Sequence, residues 1–226
     1  MPADRFYYDG SLTKGTTILL NETEQQHLRV MRIAVGEEVE LVNGKGALAR
    51  GKLTALDKKQ VSFHILESHL SPPLSPQISL GIPLMRPNKL DLIVEKGTEL
   101  GAAAFYFYPA DYSEKSELST NQLQRLRALS ISALKQSGRL YLPSFQILAR
   151  FEELFLGAPV LYGDTRATTG PTKTASALFI TGPERGFSPK ELALLSQKGT
   201  GVSLSPCILR AETAPLAALS LLMRPS

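Results

Sequence analysis

Thiols are nearly absent from this 226-residue sequence: Cys207 is the only cysteine, so no intrachain disulfide can form and a thiolate-rich zinc site is excluded. Histidine is scarce too. His27, His64 and His69 are too scattered to suggest a metal cluster, and surface or packing roles account for each, so no metal is expected. No apolar run approaches the roughly 20 residues of a membrane span. The polar start MPADRFYYDG lacks the charged-then-apolar layout of a secretion signal. A cytoplasmic location without membrane attachment is the expectation.

Acidic residues are missing from one long stretch. Between Glu117 and Glu152 there is none, while Arg125, Arg127, Lys135, Arg139 and Arg150 fall inside it. The formal charge is +4 at pH 7 and its distribution is uneven. Residues 1–71 hold 9 Lys and Arg against 9 Asp and Glu; residues 72–226 hold 16 against 12. All the excess lies in the second part, which favours a polyanionic partner as much as it does a plain solvated face.

What is present divides the chain in two. The segment HLSPPLSPQ (69–77) carries three prolines that forbid helix and interior strand. It predicts one domain over residues 1–70, a linker over 71–77 and a second domain over 78–226. In the first, NETEQQHLRVMRI (21–33) opens a helix with Asn21 as N-cap and Glu24 three residues on, a capping-box spacing. Strand patterns EEVELV, ALARGKL and QVSFHIL come after it, the first two joined by a turn at Asn43 and Gly44. Short strands, tight turns and a single helix suggest a small β-barrel. After the linker, strands at QISLGIPL, AAAFYFYP, SFQILA, PVLYG, ALFITG and GVSLS alternate with helices near residues 88–100, 121–137, 189–197 and 214–223. That rhythm predicts an α/β fold with a parallel sheet.

GALARGKL (46–53) nearly matches a phosphate-binding P-loop, but Leu53 has no hydroxyl for magnesium and the run lies between strand patterns. No G-x-G-x-x-G follows any strand, so a dinucleotide site has little support. The chemistry gathers elsewhere. FITGPERGFSPKELALL (179–195) is a strand ending in a Gly-Pro turn, with Ser188, Pro189 and Glu191 starting a helix. Such a turn offers main-chain N–H and C=O groups to a nucleoside, although a plain tight turn reads the same. VSLSPCILRAETAPLAAL (202–219) repeats the plan, with Arg210, Glu212 and Thr213 ahead of the final helix and Thr213 as its expected N-cap. Two such loops can line one pocket. On the helix TNQLQRLRALSISALKQSGR (120–139), Leu123, Leu126, Ala133 and Leu134 share one face. Arg125, Ser132, Lys135, Gln136 and Arg139 share the other, which suits phosphate oxygens or water alike.

KLDLIVEKGTELG (89–101), QSGR (136–139), GPERGFSPKE (182–191) and ILRAETA (208–214), together with HLRVMR (27–32), stand in the order and approximate spacing of the RsmE family, ribosomal RNA methyltransferases of the SPOUT class. The resemblance spans nearly the whole chain. It implies a PUA-like RNA-binding β-barrel followed by a SPOUT α/β domain with a trefoil knot, an exception to the rule against threaded chains. It further implies a homodimer that uses S-adenosylmethionine to methylate N3 of a uridine in 16S rRNA, free or in the assembled small ribosomal subunit. A fold of this kind that binds RNA without transferring methyl groups is the alternative.

The resemblance assigns Leu161, Gly182, Glu184, Gly186, Leu204, Ile208 and Leu209 to the cofactor pocket. Arg210 is the expected stabiliser of charge on the uracil oxygens, with Glu212 or Glu99 assisting proton removal or orienting Arg210. Arg29, Arg32, Arg125 and Arg139 are the expected phosphate contacts. The chain departs from the family pattern in places: Arg185 stands where relatives usually have a second glycine, Ser132 where they have Glu, and Ser205 and Cys207 where they have Gly and Arg. Relatives usually carry Thr at Ala211. A long side chain at 185 is expected to intrude on the pocket.

Overall fold

A computed structural model describes residues 4–57, 60–113, 117–155 and 157–224, which fall into two compact units. The first comprises residues 1–73 and 131–142, the second residues 74–130 and 143–226.

In the first unit, β1 (Arg5–Tyr7), β2 (Thr17–Leu19), β3 (Glu38–Val42), β4 (Ala47–Leu56) and β5 (Val61–Leu70) form one sheet in the order β1-β3-β4-β5-β2. β1 pairs parallel with β3 and the other ladders are antiparallel. The near P-loop GALARGKL is therefore strand β4. The predicted turn is present: Gly44 takes φ +68, and Asn43 Oδ1 accepts hydrogen bonds from the N–H groups of Lys45 and Ala47. Phe6, Leu28, Leu41, Leu53, Phe63 and Ile65 are buried in the core, each worth about 1.5–3 kcal/mol of burial.

Helix α1 (Glu22–Met31) starts where the capping pattern puts it, but the box is only half made. Asn21 Oδ1 accepts from Glu24 N–H at 3.0 Å. The Glu24 carboxylate does not reach back: it is buried, accepting from Tyr7 N–H at 3.1 Å and pairing with Lys135 Nζ at 2.7 Å. Lys135 is thus spent on a buried ion pair, whereas the helical pattern puts it on an outward polar face.

The second unit is a six-stranded, wholly parallel sheet of β6 (Gln77–Pro83), β7 (Ala104–Tyr108), β8 (Ser144–Ile147), β9 (Val160–Gly163), β10 (Ser176–Ile180) and β11 (Gly199–Val202). The order is β11-β9-β10-β6-β7-β8, so the chain builds outward from β6 in one direction and then returns to its other side. Alternation along the strands sorts side chains onto two layers. Ala177 and Phe179, with Ile78, Leu80, Phe105 and Phe107, pack with α2 (Pro87–Glu99) and α5 (Ala214–Leu222). Leu178 and Ile180, with Val160, Tyr162 and Tyr108, pack with a 3-10 turn (Phe151–Phe155) and α4 (Pro189–Lys198). Gly81 interrupts β6 because a Cβ there would stand 3.2 Å from both Ile180 and Leu154.

Helix α3 (Thr120–Ser137) begins with Ser119 and Gln122 exchanging main-chain and side-chain hydrogen bonds in a reciprocal cap. Its last turns fall in the first unit, although the proline-marked boundary puts the whole helix in the second domain. No helix among the described residues is long and apolar enough to cross a membrane.

Candidate functional site

Open parallel sheets bind ligands beyond the carboxyl ends of their strands, near the point where strand order reverses. A cleft of about 550 Å³ lies there in the second unit, formed by the segments after β9, β10 and β11 and by the first turn of α2. Gly163 to Thr165 supply one wall, residues 181–184 with Gly186 and Phe187 the next, residues 202–205 and 207–212 the third, and Lys89 closes it.

The wall after β10 is held from several sides. Thr181 N–H bonds Gly81 O, and the buried Tyr108 hydroxyl donates to Thr181 O at 2.6 Å. Burial raises the Tyr108 pKa well above that of an ordinary tyrosine, so the donor keeps its proton. Gly186 N–H closes a turn onto Pro183 O, and Gly186 takes φ +78, a conformation that costs a side-chain-bearing residue about 1 kcal/mol. Ser188 and Glu191 make the full capping box of α4. Glu191 also accepts from Asp111 N–H at 3.0 Å, and Ser188 Oγ donates to Asp111 Oδ2 at 2.5 Å.

Arg185 does not enter the cleft. Its guanidinium lies 5.1 Å from the centre of the Tyr112 ring, and its backbone is outside the left-handed region, where Arg32 is the one non-glycine among the described residues. The expected intrusion is corrected: the turn carries the position-185 side chain outward, at no backbone strain.

The segment after β11 is tied less tightly. Ser203 N–H bonds Thr169 O, Cys207 N–H bonds Ser205 Oγ, and the main chain turns at Arg210 O to start α5. Thr213 occupies the N-cap position with helical angles and makes no side-chain cap bond, contrary to expectation. Ile208 is 85% exposed, and so is the Arg210 side chain.

Of the residues read from the sequence as cofactor contacts, Gly182, Glu184, Gly186, Leu204, Ile208 and Leu209 line this cleft. Leu161 does not; β9 alternation turns it into the apolar layer with α2 and α5, and the cleft begins two residues later. Arg210 and Glu212 also line it, 3.9 Å apart at Nη1 and Oε1. Glu99 is not among its lining residues: it sits near the end of α2 and its carboxylate bonds Lys96 Nζ at 2.8 Å. Arg29 donates to Asp57 O at 2.9 Å, and Arg32 caps α1 in the left-handed conformation, both in the first unit. Arg139, in the same unit, is largely buried, which lowers its pKa to about 10 and still leaves it charged at neutral pH. In the second unit Arg125 is paired with Asp91 at 2.8 Å.

Three cleft residues escape a reading of the sequence. Lys89 Nζ pairs with Glu184 Oε1 at 2.7 Å and with Glu212 Oε2 at 3.2 Å, the second contact being an ion pair without good hydrogen-bond geometry. The hydrogen bond to Glu184 raises the lysine's pKa, and its partners lie 95 and 123 residues away, beyond any local pattern. Burial pushes the Glu212 carboxyl up, but its own backbone N–H, Lys89 and Arg210 outweigh that and hold it below the usual carboxylate value. Asp164 is held low by hydrogen bonds from the Arg166 side chain and backbone. Thr181 is buried, and its Oγ1 has no hydrogen-bond partner among the described residues.

A small β unit and a wholly parallel α/β unit with a ligand-sized cleft at its strand ends agree with the SPOUT class of RNA methyltransferases, which the matching families and solved structures support. The RNA methyltransferase domain family matches residues 72–223, and the RNA methyltransferase PUA domain matches residues 20–66. The ribosomal RNA small subunit methyltransferase E of Mycobacterium tuberculosis is 30% identical over 97% of this chain and 90% of that protein; the Bacillus subtilis protein of the same name is 30% identical over 92% and 90%. Among solved structures, the Neisseria gonorrhoeae methyltransferase E bound to S-adenosylmethionine superposes with a TM-score of 0.86 at 28% identity, covering 96% of this chain and 95% of that one. A Legionella pneumophila methyltransferase with bound S-adenosylmethionine gives 0.88 at 25%, covering 98% and 97%. This chain belongs to the ribosomal RNA small subunit methyltransferase E family.

Proposed function

We propose that this protein methylates N3 of a uridine in small-subunit ribosomal RNA, with S-adenosylmethionine bound in the cleft beyond β9, β10 and β11. The observation that carries the reading is the pairing of two main-chain-rich segments around a cleft of about 550 Å³ in a chain of this family. The residues fit the cofactor. Gly182 lets the turn close on itself, since a Cβ there would press on the Phe187 ring at 3.3 Å, and it lines the cleft with main chain alone. Leu204 and Leu209 give an apolar wall, and the buried Thr181 hydroxyl is in want of a partner, a condition that costs about 1–3 kcal/mol until it is met. Bound there, the cofactor supplies an electrophilic methyl group, so neither a metal nor a covalent enzyme intermediate is required.

The chain's own task is alignment and charge. Arg210, exposed at the cleft, is free to approach the uracil carbonyl oxygens and stabilise the negative charge that grows as the N3 proton leaves. Glu212 is held ionised by Lys89 and is therefore better suited to orienting Arg210 than to taking a proton. Glu99, outside the cleft lining and bonded to Lys96, is given no part in the proposed chemistry. Arg29 and Arg32 are proposed as phosphate contacts; Arg139, largely buried, and Arg125, already paired with Asp91, contribute less. We further propose a trefoil thread in the chain after β11, a homodimer, and action in the cytoplasm on the rRNA or the assembled subunit. The outward course of Arg185 removes the main ground for a fold that only binds RNA.

Incubating unmodified small subunits with the protein and S-adenosylmethionine, then mapping the product by mass spectrometry, tests the reading. One uridine carrying a methyl group at N3 is expected. Binding of the subunit with no methyl transfer would leave an RNA-holding module.

A further inference from the structure

Lys89 occupies the third position of α2, where the positive end of the helix dipole disfavours a cation and where the first turn contains no acid. Local helix chemistry therefore argues against a lysine here. The reason for it lies across the cleft, at Glu184 in the turn after β10 and Glu212 in the segment after β11. Two carboxylates sharing one ammonium at 2.7 and 3.2 Å stand within about 6 Å of each other and repel strongly once that charge is gone. Screening is limited at Lys89 and Glu212, whose side chains are only 20% and 13% exposed, and stronger at Glu184, which is 36% exposed.

Resting on the reading that this cleft holds S-adenosylmethionine, we propose that Lys89 is a positioning residue: its ammonium holds the two ligand-facing segments at the separation the cofactor needs by cancelling the repulsion between Glu184 and Glu212. The other charges nearby do not substitute for it. Arg210 Nη1 is 3.9 Å from the far oxygen of Glu212. Asp164, across the cleft, is engaged with Arg166, and Asp91 on α2 with Arg125. Arg86 precedes α2 and does not line the cleft. Nothing in the proposal has Lys89 touching a reacting atom.

The test is Lys89→Met, which keeps the length of the side chain and removes its charge, probed by calorimetric titration with S-adenosylhomocysteine. The neutral sulfur of that ligand avoids a direct attraction between a sulfonium and the two freed carboxylates. With both carboxylates ionised at about pH 8, Lys89→Met is expected to bind about tenfold more weakly than the unaltered protein. At about pH 5, nearer the ordinary glutamate value, one carboxyl takes up a proton and part of the lost affinity returns, a recovery that the unaltered protein does not show. Lys89→Met/Glu184→Gln, lacking the like-charge pair, is expected to lose the pH dependence. A ligand-free readout separates this proposal from the cofactor reading. A carboxyl whose folded pKa is raised contributes stability that is full below the unfolded value of about 4.3 and is lost as pH rises through the folded one, so the Tm deficit of Lys89→Met grows as the pH is raised from about 4.3 towards neutral.

Should the unaltered protein fail to bind S-adenosylhomocysteine while that growing deficit is seen, the cofactor reading falls and the clamp between the two segments stands. Failure of Lys89→Met to fold at the higher pH alone counts the same way. Equal affinity of Lys89→Met and the unaltered protein at both pH values, with no pH-dependent Tm deficit, overturns the proposal.

Discussion

The two segments that face each other across the cleft are built in opposite ways. The one after β10 is fixed by Tyr108, Asp111, Ser188 and Glu191 through buried or half-buried hydrogen bonds, and Arg185 is laid on Tyr112. The one after β11 has a few main-chain ties and leaves Ile208, Cys207 and Arg210 exposed. A preorganised wall suits a ligand of constant shape, because the entropy of ordering it is met on folding and not on binding. A looser wall suits a larger and more variable partner. The difference fits a small cofactor seated against the first segment and an RNA base approaching over the second.

Substitutions on the two sides should separate the two roles. The largest effect expected is on the looser side: Arg210→Ala lowers kcat about a hundredfold, about 3 kcal/mol in the barrier, with cofactor affinity and unfolding free energy unchanged. Single-turnover methylation of small subunits beside urea unfolding reads both quantities. On the fixed side the order reverses, and stability goes first. Glu191→Ala strands the N–H groups of Ser188 and Asp111 and is expected to cost about 2 kcal/mol in urea unfolding, with a weaker cofactor site as a consequence. Ser188→Ala removes the cap bond and the bond to Asp111 Oδ2, for about 1.5 kcal/mol by the same measurement. The smallest change is Arg185→Ala, about 0.5 kcal/mol from an exposed cation–π contact, with calorimetric affinity for the cofactor unchanged. A large gain in affinity for that variant would mean that Arg185 reaches into the cleft after all.

Periodicity and punctuation make much of the architecture legible. The continuous apolar run of β10, whose residues divide between two apolar layers, and the Ser188-Pro189-Glu191 start of α4 are local signals, and the structure carries both. Strands β1 and β2 escape notice because three residues hold too little pattern to register. The capping spacing at Asn21 and Glu24 misleads in part, since the buried Glu24 has better partners in Tyr7 and Lys135 than its own cap. In the site, the Gly-Pro turn after β10 and the Ser205-Pro206 loop ahead of Arg210 announce two walls of the cleft. Lys89 and Thr181 are not legible, for the partners of the first are set by the fold and the second is marked only by a missing hydrogen bond. Leu161 shares a layer with the lining residues Phe179 and Val202 but sits within β9, two residues short of the strand end where the cleft begins.

The direct trial of the account is a crystal structure of the protein grown with S-adenosylhomocysteine. The account predicts density for one nucleoside per chain between Gly182 and Leu209, with Arg185 still lying over Tyr112. Density in the separate groove beside Arg150 and Lys190, or a cleft that stays empty at saturating ligand, would contradict it.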